Sequence, residues 1–329
     1  MAKEPGNGIL EDFRIDFVDC WQRLPNKGFF FSLLAAWLAL FQFLGNSTMG
    51  YLPTPSLLRW MYIVFQPSSD PGASDEAHGL IVPFLVLGLF WWKRKELLAL
   101  PLRLWWPGLL LIGFALVLHV IGYMVQQPRI SIVALFTGIY GIMGLAWGRE
   151  WLRGSFFPFF LFAFCVPLGW SAQSVTFPLR LLVCQLVEWI SGNLLQIDVV
   201  REGTALMDPM HKYQYDVAPA CSGIRSLFAI SAVTIIYAFL SFRTWWKRGL
   251  LMASAVPLAV LGNVLRMLTI IVSAEFGGQK AGEYVHEGGP LGIISLLPYA
   301  GAFAGLLLLG HVLRERPLKP VVPPAAKAA

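Results

Sequence analysis

The chain has 329 residues, of which 57% are hydrophobic, 14% are aromatic and only 13% are charged. The mean hydropathy is +0.63, and this apolar share excludes an ordinary soluble domain. A net charge of +6 would favour a nucleic-acid partner in a soluble protein. Here the basic residues flank apolar stretches, so we expect no nucleic acid and a polytopic protein surrounded by membrane lipids.

The apolar stretches predict an all-α membrane bundle with about eight transmembrane helices, interfacial helices and a short outer loop subdomain. A helix needs about 20 apolar residues to cross a bilayer. The predicted spans are residues 28–44, 78–92, 105–125, 130–147, 155–170, 223–242, 249–273 and 291–313. Residues 28–313 would form one transmembrane domain, with residues 1–27 as a cytoplasmic segment and 314–329 as a disordered cytoplasmic tail.

Three other segments predict helices that do not cross. In the N-terminal segment, Leu10, Phe13 and Phe17 recur at helical spacing, which indicates a helix on the membrane surface. Residues 57–65 are too few to cross, and residues 175–195 carry several polar side chains, so both favour interfacial or re-entrant helices. The sequence does not decide whether residues 175–195 span the membrane. With eight spans, most lysines and arginines fall on one side, which predicts that both termini are cytoplasmic.

Cys221 lies where a polar loop turns into a long apolar helix. Pro219 and Gly223 flank it and favour a tight turn, so the helix should begin within a residue or two of Ser222. The positive end of the helix dipole favours a thiolate, and Arg225 lies four residues on, on the same helix face. These features predict an activated cysteine. The alternative is a buried cysteine that acts as a small hydrophobic residue.

Two other polar features share the predicted outer side with this cysteine. Asn263 and Arg266 lie three residues apart on one face of a predicted span. An arginine at the centre of a span costs about 2.5–3.5 kcal/mol to insert, so it usually faces the bundle interior; the alternative is an arginine that snorkels to the headgroups. His286 is predicted in an outer loop, residues 275–290, among glycines. Taken alone, it is more typical of a solvated loop residue than of a site residue.

The remaining patterns are weaker. The four cysteines show no spacing typical of metal ligands, so we expect no metal and no cofactor. Residues 198–217 mix apolar and charged side chains, which favours short strands or a hairpin that acts as a lid or a substrate-docking element. His211 in this segment is expected to be solvated.

Together, Cys221-Ser222-Gly223-x-Arg225, the Asn263-x-x-Arg266 pair and His286 resemble the exosortase and archaeosortase family. This resemblance implies a multi-spanning transpeptidase of the cell inner membrane that processes the C-terminal sorting signals of exported proteins. It implies a catalytic set of Cys221, Arg266 and His286, and the histidine favours a bacterial-type exosortase that acts on PEP-CTERM-like signals. The expected partners are exported substrates and a lipid or cell-surface acceptor, with the active site on the outer, periplasmic face.

The chemistry of the residues suits these roles. A Cys221 thiolate would form an acyl-enzyme, Arg266 would stabilise negative charge, and His286 would exchange protons. The residues expected to bind substrate are Arg225, Asn263 and Ser222. Two alternatives remain open: a purely hydrolytic intramembrane cysteine protease, and a transporter that uses Arg266 to bind an anionic substrate.

Overall fold

The computed structural model describes residues 8–66, 77–168, 170–216, 224–287 and 299–314, and these are mostly helical. The chain forms two compact units, Met1–Ser174 and Val175–Ala329. Three described helices are long and apolar enough to cross a membrane: Lys27–Leu44, Pro128–Trp147 and Trp245–His286. The predicted helical membrane architecture is therefore supported, and the number of eight spans stays a prediction.

The first unit contains seven helices in its described part. They are α1 (Ile9–Arg23), α2 (Lys27–Leu44), α3 (Leu57–Val64), α4 (His78–Leu98), α5 (Gly108–Met124), α6 (Pro128–Trp147) and α7 (Arg149–Phe160). A short 3-10 turn, Leu161–Cys165, follows α7. The segment predicted as a span over residues 155–170 therefore has other bounds, because its helix begins at Arg149, ends at Phe160 and tightens into this turn, and the crossing itself stays a prediction.

Helix α6 is the most buried helix of this unit, and its small residues explain why. A Cβ atom on Gly138 would lie 1.9 Å from the Trp37 ring of α2, so the indole occupies the space that the missing side chain leaves. The same indole donates a hydrogen bond from Nε1 to the Leu135 carbonyl at 2.9 Å. Small residues let helices approach closely in membrane bundles, and α6 uses them in this way.

Helix α1 has the amphipathic pattern that the sequence predicts. Its Phe13 and Phe17 side chains are about half exposed, and the Phe13 ring lies 4.7 Å from the Trp91 ring of α4. Asp16 forms an ion pair with Arg94. The predicted helix is confirmed, and these contacts fasten it to the end of α4.

The second unit contains most of α8 (Trp170–Ile190), a π-helical turn (Ser191–Leu195), three strands and three further helices. The strands are β1 (Val200–Glu202), β2 (Ala205–Met207) and β3 (Gln214–Asp216), and the helices are α9 (Ile224–Ser241), α10 (Trp245–Glu287) and α11 (Tyr299–Val312). The strands form an antiparallel sheet in the order β1-β2-β3, which confirms the predicted short strands.

Helix α8 runs parallel to α10 in this unit. Thr176 of α8 shares a narrow cleft with Ala259 and Asn263 of α10. Further along both helices, Val187 shares a hydrophobic core with Ile271. Helix α8 is continuous through Pro178. It is not among the described helices that are long and apolar enough to cross a membrane, so the interfacial or re-entrant segment over residues 175–195 stays a prediction.

Helix α9 runs antiparallel to α10. Leu227, in its first turn, lines the same cleft as Asn263. Ile230, three residues later, shares a core with Ala255 and Ala259. The first residues of α9 therefore lie beside later turns of α10 than the residues that follow them in α9.

Candidate active site

Helix α10 is interrupted at Gly278. The glycine has φ 72° and ψ −177°, a backbone conformation that residues with a side chain rarely adopt. The sequence predicted that the helix ends near residue 273 and that His286 lies in a loop. That prediction is wrong, because α10 continues up to Gly278 and a second helical part follows it to Glu287. Gln279, Lys280 and Ala281 favour helix, which explains the resumption.

The second part of α10 folds back along the first. A Cβ atom on Gly282 would lie 3.0 Å from the Ala274 Cβ atom, so these two turns touch. Arg266 Nη2 donates a hydrogen bond to the His286 carbonyl oxygen at 3.3 Å. Arg266 lies about 18 Å before the break at helical rise, so only a reversal of direction can bring His286 to it.

Strand β3 holds this reversal in place. The Gln279 side chain accepts a hydrogen bond from the Gln214 amide at 3.1 Å and approaches the Gln214 carbonyl with Nε2 at 3.5 Å. The side-chain amide of Gln279 thus presents one acceptor and one donor to β3, as the backbone of an adjacent strand would. The Tyr215 hydroxyl donates to the Gln279 carbonyl at 2.8 Å and fills the space beside Gly282.

The turn between β2 and β3 is built around Asp208. Its carboxylate accepts hydrogen bonds from the backbone amides of Met210 and Lys212 at 2.8 and 3.2 Å. The His211 side chain is exposed, and its backbone has a φ of 56°, the left-handed conformation that this turn contains. Burial raises the pKa of the nearby Tyr213 phenol, and the charges of Glu275 and Asp208 raise it further.

Asn263 is buried, with 6% of its surface exposed. Its Oδ1 atom accepts a hydrogen bond from the Tyr299 hydroxyl at 3.2 Å, which links α10 to α11. A Cβ atom on the neighbouring Gly262 would lie 2.8 Å from the Tyr299 ring, so the two helices are in close contact. Asn263 was predicted to bind substrate; the structure gives it this helix contact and a place on the wall of the cleft.

Arg266 is half-buried, and its charge has no carboxylate partner among the described residues. Its Nε atom is buried and has no hydrogen-bond partner in that part of the chain. A charged side chain in an apolar helix is costly unless it is paired, so Arg266 marks a candidate site.

The structure therefore brings Arg266 and the His286 backbone together, with Asn263 one turn away. Cys221 and Ser222 lie outside the described residues, and so does the side chain of Arg225, which lies in the first turn of α9. Among the described cysteines, Cys184 is fully buried, and its sulfur lies 3.5 Å from the Thr204 carbonyl oxygen. Cys184 therefore has a packing role.

Sequence reasoning missed two buried polar residues of α8. Thr176 and Arg180 are 3% and 7% exposed, and neither Thr176 Oγ1 nor Arg180 Nε has a hydrogen-bond partner in the described ranges. Arg180 is one of the polar side chains on which the prediction of an interfacial or re-entrant helix over residues 175–195 depends. The argument applied to Arg266, that an arginine in an apolar stretch marks a site, would have found Arg180 as well.

Three comparisons with known proteins bear on this site. Residues 70–307 match a family model described as transmembrane exosortase (Exosortase_EpsH). The match includes α8, α9 and α10, and with them all the candidate site residues. A search of curated proteins and a search of solved structures found no match.

Proposed function

The chain belongs to the transmembrane exosortase family, and from this premise we propose that it is a cysteine transpeptidase embedded in the cell inner membrane. It cleaves the C-terminal sorting signal of exported proteins, which comprises a short motif, a transmembrane span and a basic tail. It then transfers the protein to a lipid or cell-surface acceptor. The proposal places both termini in the cytoplasm and the active site on the outer, periplasmic face.

The hydrogen bond between Arg266 and the His286 backbone carries this proposal. The two residues are separated by the break at Gly278, and the fold brings them together only by reversing the direction of α10. The break at Gly278 and the contacts with β3 place the helical turn that carries His286 beside Arg266. The proposal explains this arrangement, because the side chains of that turn would then act together with the arginine.

The direction of α9 supports a position for Cys221 beside the same pair. Leu227 is level with Asn263, so the first described residue of α9, Ile224, is about one turn further along α10 and level with Arg266. Cys221 precedes Ile224 by three residues, which span at most about 11 Å. In the proposal, the thiol of Cys221 therefore lies within reach of Arg266 and His286.

The proposed reaction has two stages. The Cys221 thiolate attacks the scissile carbonyl carbon, the C–N bond breaks, and the leaving amine takes a proton from His286, which gives a thioester. An acceptor nucleophile then loses a proton to His286 and attacks the thioester carbon. The C–S bond breaks and the thiolate is restored. Arg266 keeps its proton throughout, so its role is to stabilise the thiolate and the oxyanion.

The test is the mass of a candidate exported substrate that is co-expressed with the full chain. Wild type is expected to remove the C-terminal span and leave a new adduct at the cut, and Cys221→Ala is expected to leave the substrate intact. Cys20→Ala is the matched control, because Cys20 lies on α1 and outside the site. Its processing should equal that of the wild type.

The other outcomes separate the alternatives. Removal of the span without an adduct points to a hydrolytic protease. Unchanged processing with Cys221→Ala overturns the catalytic cysteine, and loss of function with Arg266→Ala alone would then favour a transporter.

A further inference from the structure

A polar pocket lies between the end of α9 and the end of α11, in a part of the second unit that the proposed reaction does not use. It has a volume of about 400 Å³ and is lined by Tyr237 and Ser241 of α9 and by Leu307, His311 and Arg314, among others. Sites for small molecules usually hold about 300–1,000 Å³. The pocket is therefore large enough for the head of a small ligand.

The pocket lies at the opposite end of α10 from Arg266. Lys247, in the first turn of α10, donates a hydrogen bond to the Leu313 carbonyl oxygen at 2.8 Å. Arg248 Nε donates to the carbonyl oxygen of Phe242, which lines the pocket, at 2.7 Å. Arg266 lies about 28 Å further along α10 than Lys247 at helical rise. The pocket is therefore separate from the candidate active site.

The surroundings of the pocket are basic. Residues 224–274 and 299–314, which comprise α9, α11 and most of α10, contain no aspartate or glutamate. Lys247, Arg248 and Arg314 form no ion pair with a carboxylate in the described part of the chain. Lys247 and Arg248 bond to carbonyl oxygens instead, which leaves their positive charges without a counter-ion there. This end of the three helices therefore favours an anion.

The polar side chains that line the pocket can all donate hydrogen bonds. They are the hydroxyls of Tyr237 and Ser241, the imidazole of His311 and the guanidinium of Arg314. A Cβ atom on Gly310 would lie 2.2 Å from the Tyr237 hydroxyl, so a side chain there would displace this donor. A guanidinium beside several neutral donors matches a phosphate group, whose oxygen atoms accept hydrogen bonds in parallel pairs.

An apolar surface adjoins the pocket. Leu307 lines the pocket and is more than half exposed, as are Leu308 and Val312 on the same helix. Trp245 and Trp246, at the start of α10, are exposed to a similar degree. Exposed tryptophans at the ends of membrane helices mark the level of the lipid headgroups. A ligand that joins a phosphate to a hydrocarbon chain matches both the pocket and the surface beside it.

We propose that this pocket binds the phosphate of one anionic membrane lipid, with Arg314 and His311 at the phosphate and Leu307 beside an acyl chain. In the proposed topology this end of the helices faces the cytoplasm, where basic pockets between membrane helices bind lipid headgroups. Free phosphate shares the headgroup chemistry but has no hydrocarbon to cover Leu307. The inference goes beyond the proposed function and does not depend on it, because the pocket is remote from Arg266.

The test is native mass spectrometry of the full chain, titrated in detergent with phosphatidylglycerol and with phosphatidylcholine. One phosphatidylglycerol should bind about tenfold more tightly than phosphatidylcholine, because it alone of the two carries a net negative charge. Arg314→Gln should bring this ratio close to one, and His311→Gln should reduce it by a smaller factor. Ser241→Phe fills the pocket and changes no charge, so it should lower the ratio as well.

Arg153→Gln is the matched control. It removes the same charge as Arg314→Gln, but Arg153 lies on α7 and pairs with Glu150 at 3.0 Å. The lipid preference should therefore equal that of the wild type. Equal melting temperatures of the Arg314 and Arg153 variants would show that both are folded.

Several results would overturn the site. They are equal binding of the two lipids by the wild type, a preference that survives Arg314→Gln, or a preference that survives Ser241→Phe in a folded chain, which would indicate attraction to surface charge alone. A second arm adds inorganic phosphate to the chain in phosphatidylcholine nanodiscs at constant ionic strength. No change in melting temperature is expected. A rise that requires Arg314 and equals the rise in phosphatidylglycerol nanodiscs would assign the pocket to free phosphate instead of a lipid.

Discussion

Helices α6 and α10 are both long and apolar enough to cross a membrane, but they differ in whether their buried polar groups have hydrogen-bond partners among the described residues. In α6, Ser131 Oγ lies 3.1 Å from His119 Nδ1, and the Leu135 carbonyl accepts from the Trp37 indole. In α10, Arg266 keeps a buried Nε atom without a partner in the described residues. Paired polar groups in a bundle hold helices together, whereas an unpaired charge is available for chemistry.

The largest effect that tests this comparison is on Arg266. Arg266→Ala should reduce substrate processing by about a hundredfold to a thousandfold, because in the proposed reaction the oxyanion or thiolate would lose its stabilising donor. Arg266→Lys should recover only part of this loss, because lysine lacks the planar fork. The measurement is the ratio of processed to unprocessed substrate at equal enzyme levels. If Arg266→Ala processes normally and only melts earlier, Arg266 is a structural residue.

The corresponding change in α6 should act on stability alone. Gly138→Ala places a Cβ atom 1.9 Å from the Trp37 ring, and overpacking of this kind costs about 1–3 kcal/mol. We expect a lower melting temperature in detergent and unchanged processing per folded molecule. Gly113→Ala is the control, because nothing lies within 4 Å of its Cβ position. A variant of Gly138 that melts like wild type would contradict the close contact of α2 and α6.

The break in α10 should affect both properties. Gly278→Ala places a side chain at φ 72° and ψ −177°, a backbone conformation almost exclusive to glycine, which costs about 1–3 kcal/mol. Gly203→Ala is the control, because Gly203 also has a positive φ, 61°, in the β1–β2 turn and, like Gly278, has nothing within 4 Å of its Cβ position. Both variants should melt earlier, and only Gly278→Ala should also lower processing through a displaced His286. Equal processing by the two would separate the break from catalysis.

The smallest expected effect is a pH dependence of the strand region. Burial raises the folded-state pKa of Tyr213 above its ordinary value of 10.0. The neutral phenol therefore stabilises the fold below about pH 10, and this contribution is lost as the pH rises further, because unfolding then releases a proton. Wild type should lose more stability than Tyr213→Phe between about pH 8 and pH 11. If wild type and Tyr213→Phe lose the same stability over this pH range, burial does not raise the pKa of Tyr213.

The sequence predicted the apolar helices that have clear ends. The predicted span 130–147 agrees with α6, because Pro128 marks its start and Gly148 its end. The span 28–44 agrees with α2 for a similar reason: polar residues precede the apolar run and Gly45 follows it. Local composition determines these boundaries, so a pattern of single residues is enough to find them.

Features that depend on distant contacts could not be predicted in this way. The fold-back that brings His286 to Arg266 needs strand β3, which lies about 65 residues earlier in the chain than Gln279 and bonds to it. The packing of α8 beside α10 has the same character, because Thr176 and Asn263, which line one cleft, lie far apart in the chain. The pair of Gly277 and Gly278 was the one local sign of the break.

The contact between Gln279 and β3 has a consequence for the segment that carries Cys221. Strand β3 is fastened to α10 at Gln279, and α9 is fastened to α10 by its antiparallel packing. The seven residues 217–223 connect these two fixed points. The two ends of the segment that contains the proposed nucleophile, Asp216 of β3 and Ile224 of α9, are therefore both held by the same helix. One residue added within 217–223 would lengthen the chain between these two ends by up to about 3.5 Å and leave the contacts of β3 and α9 with α10 unchanged.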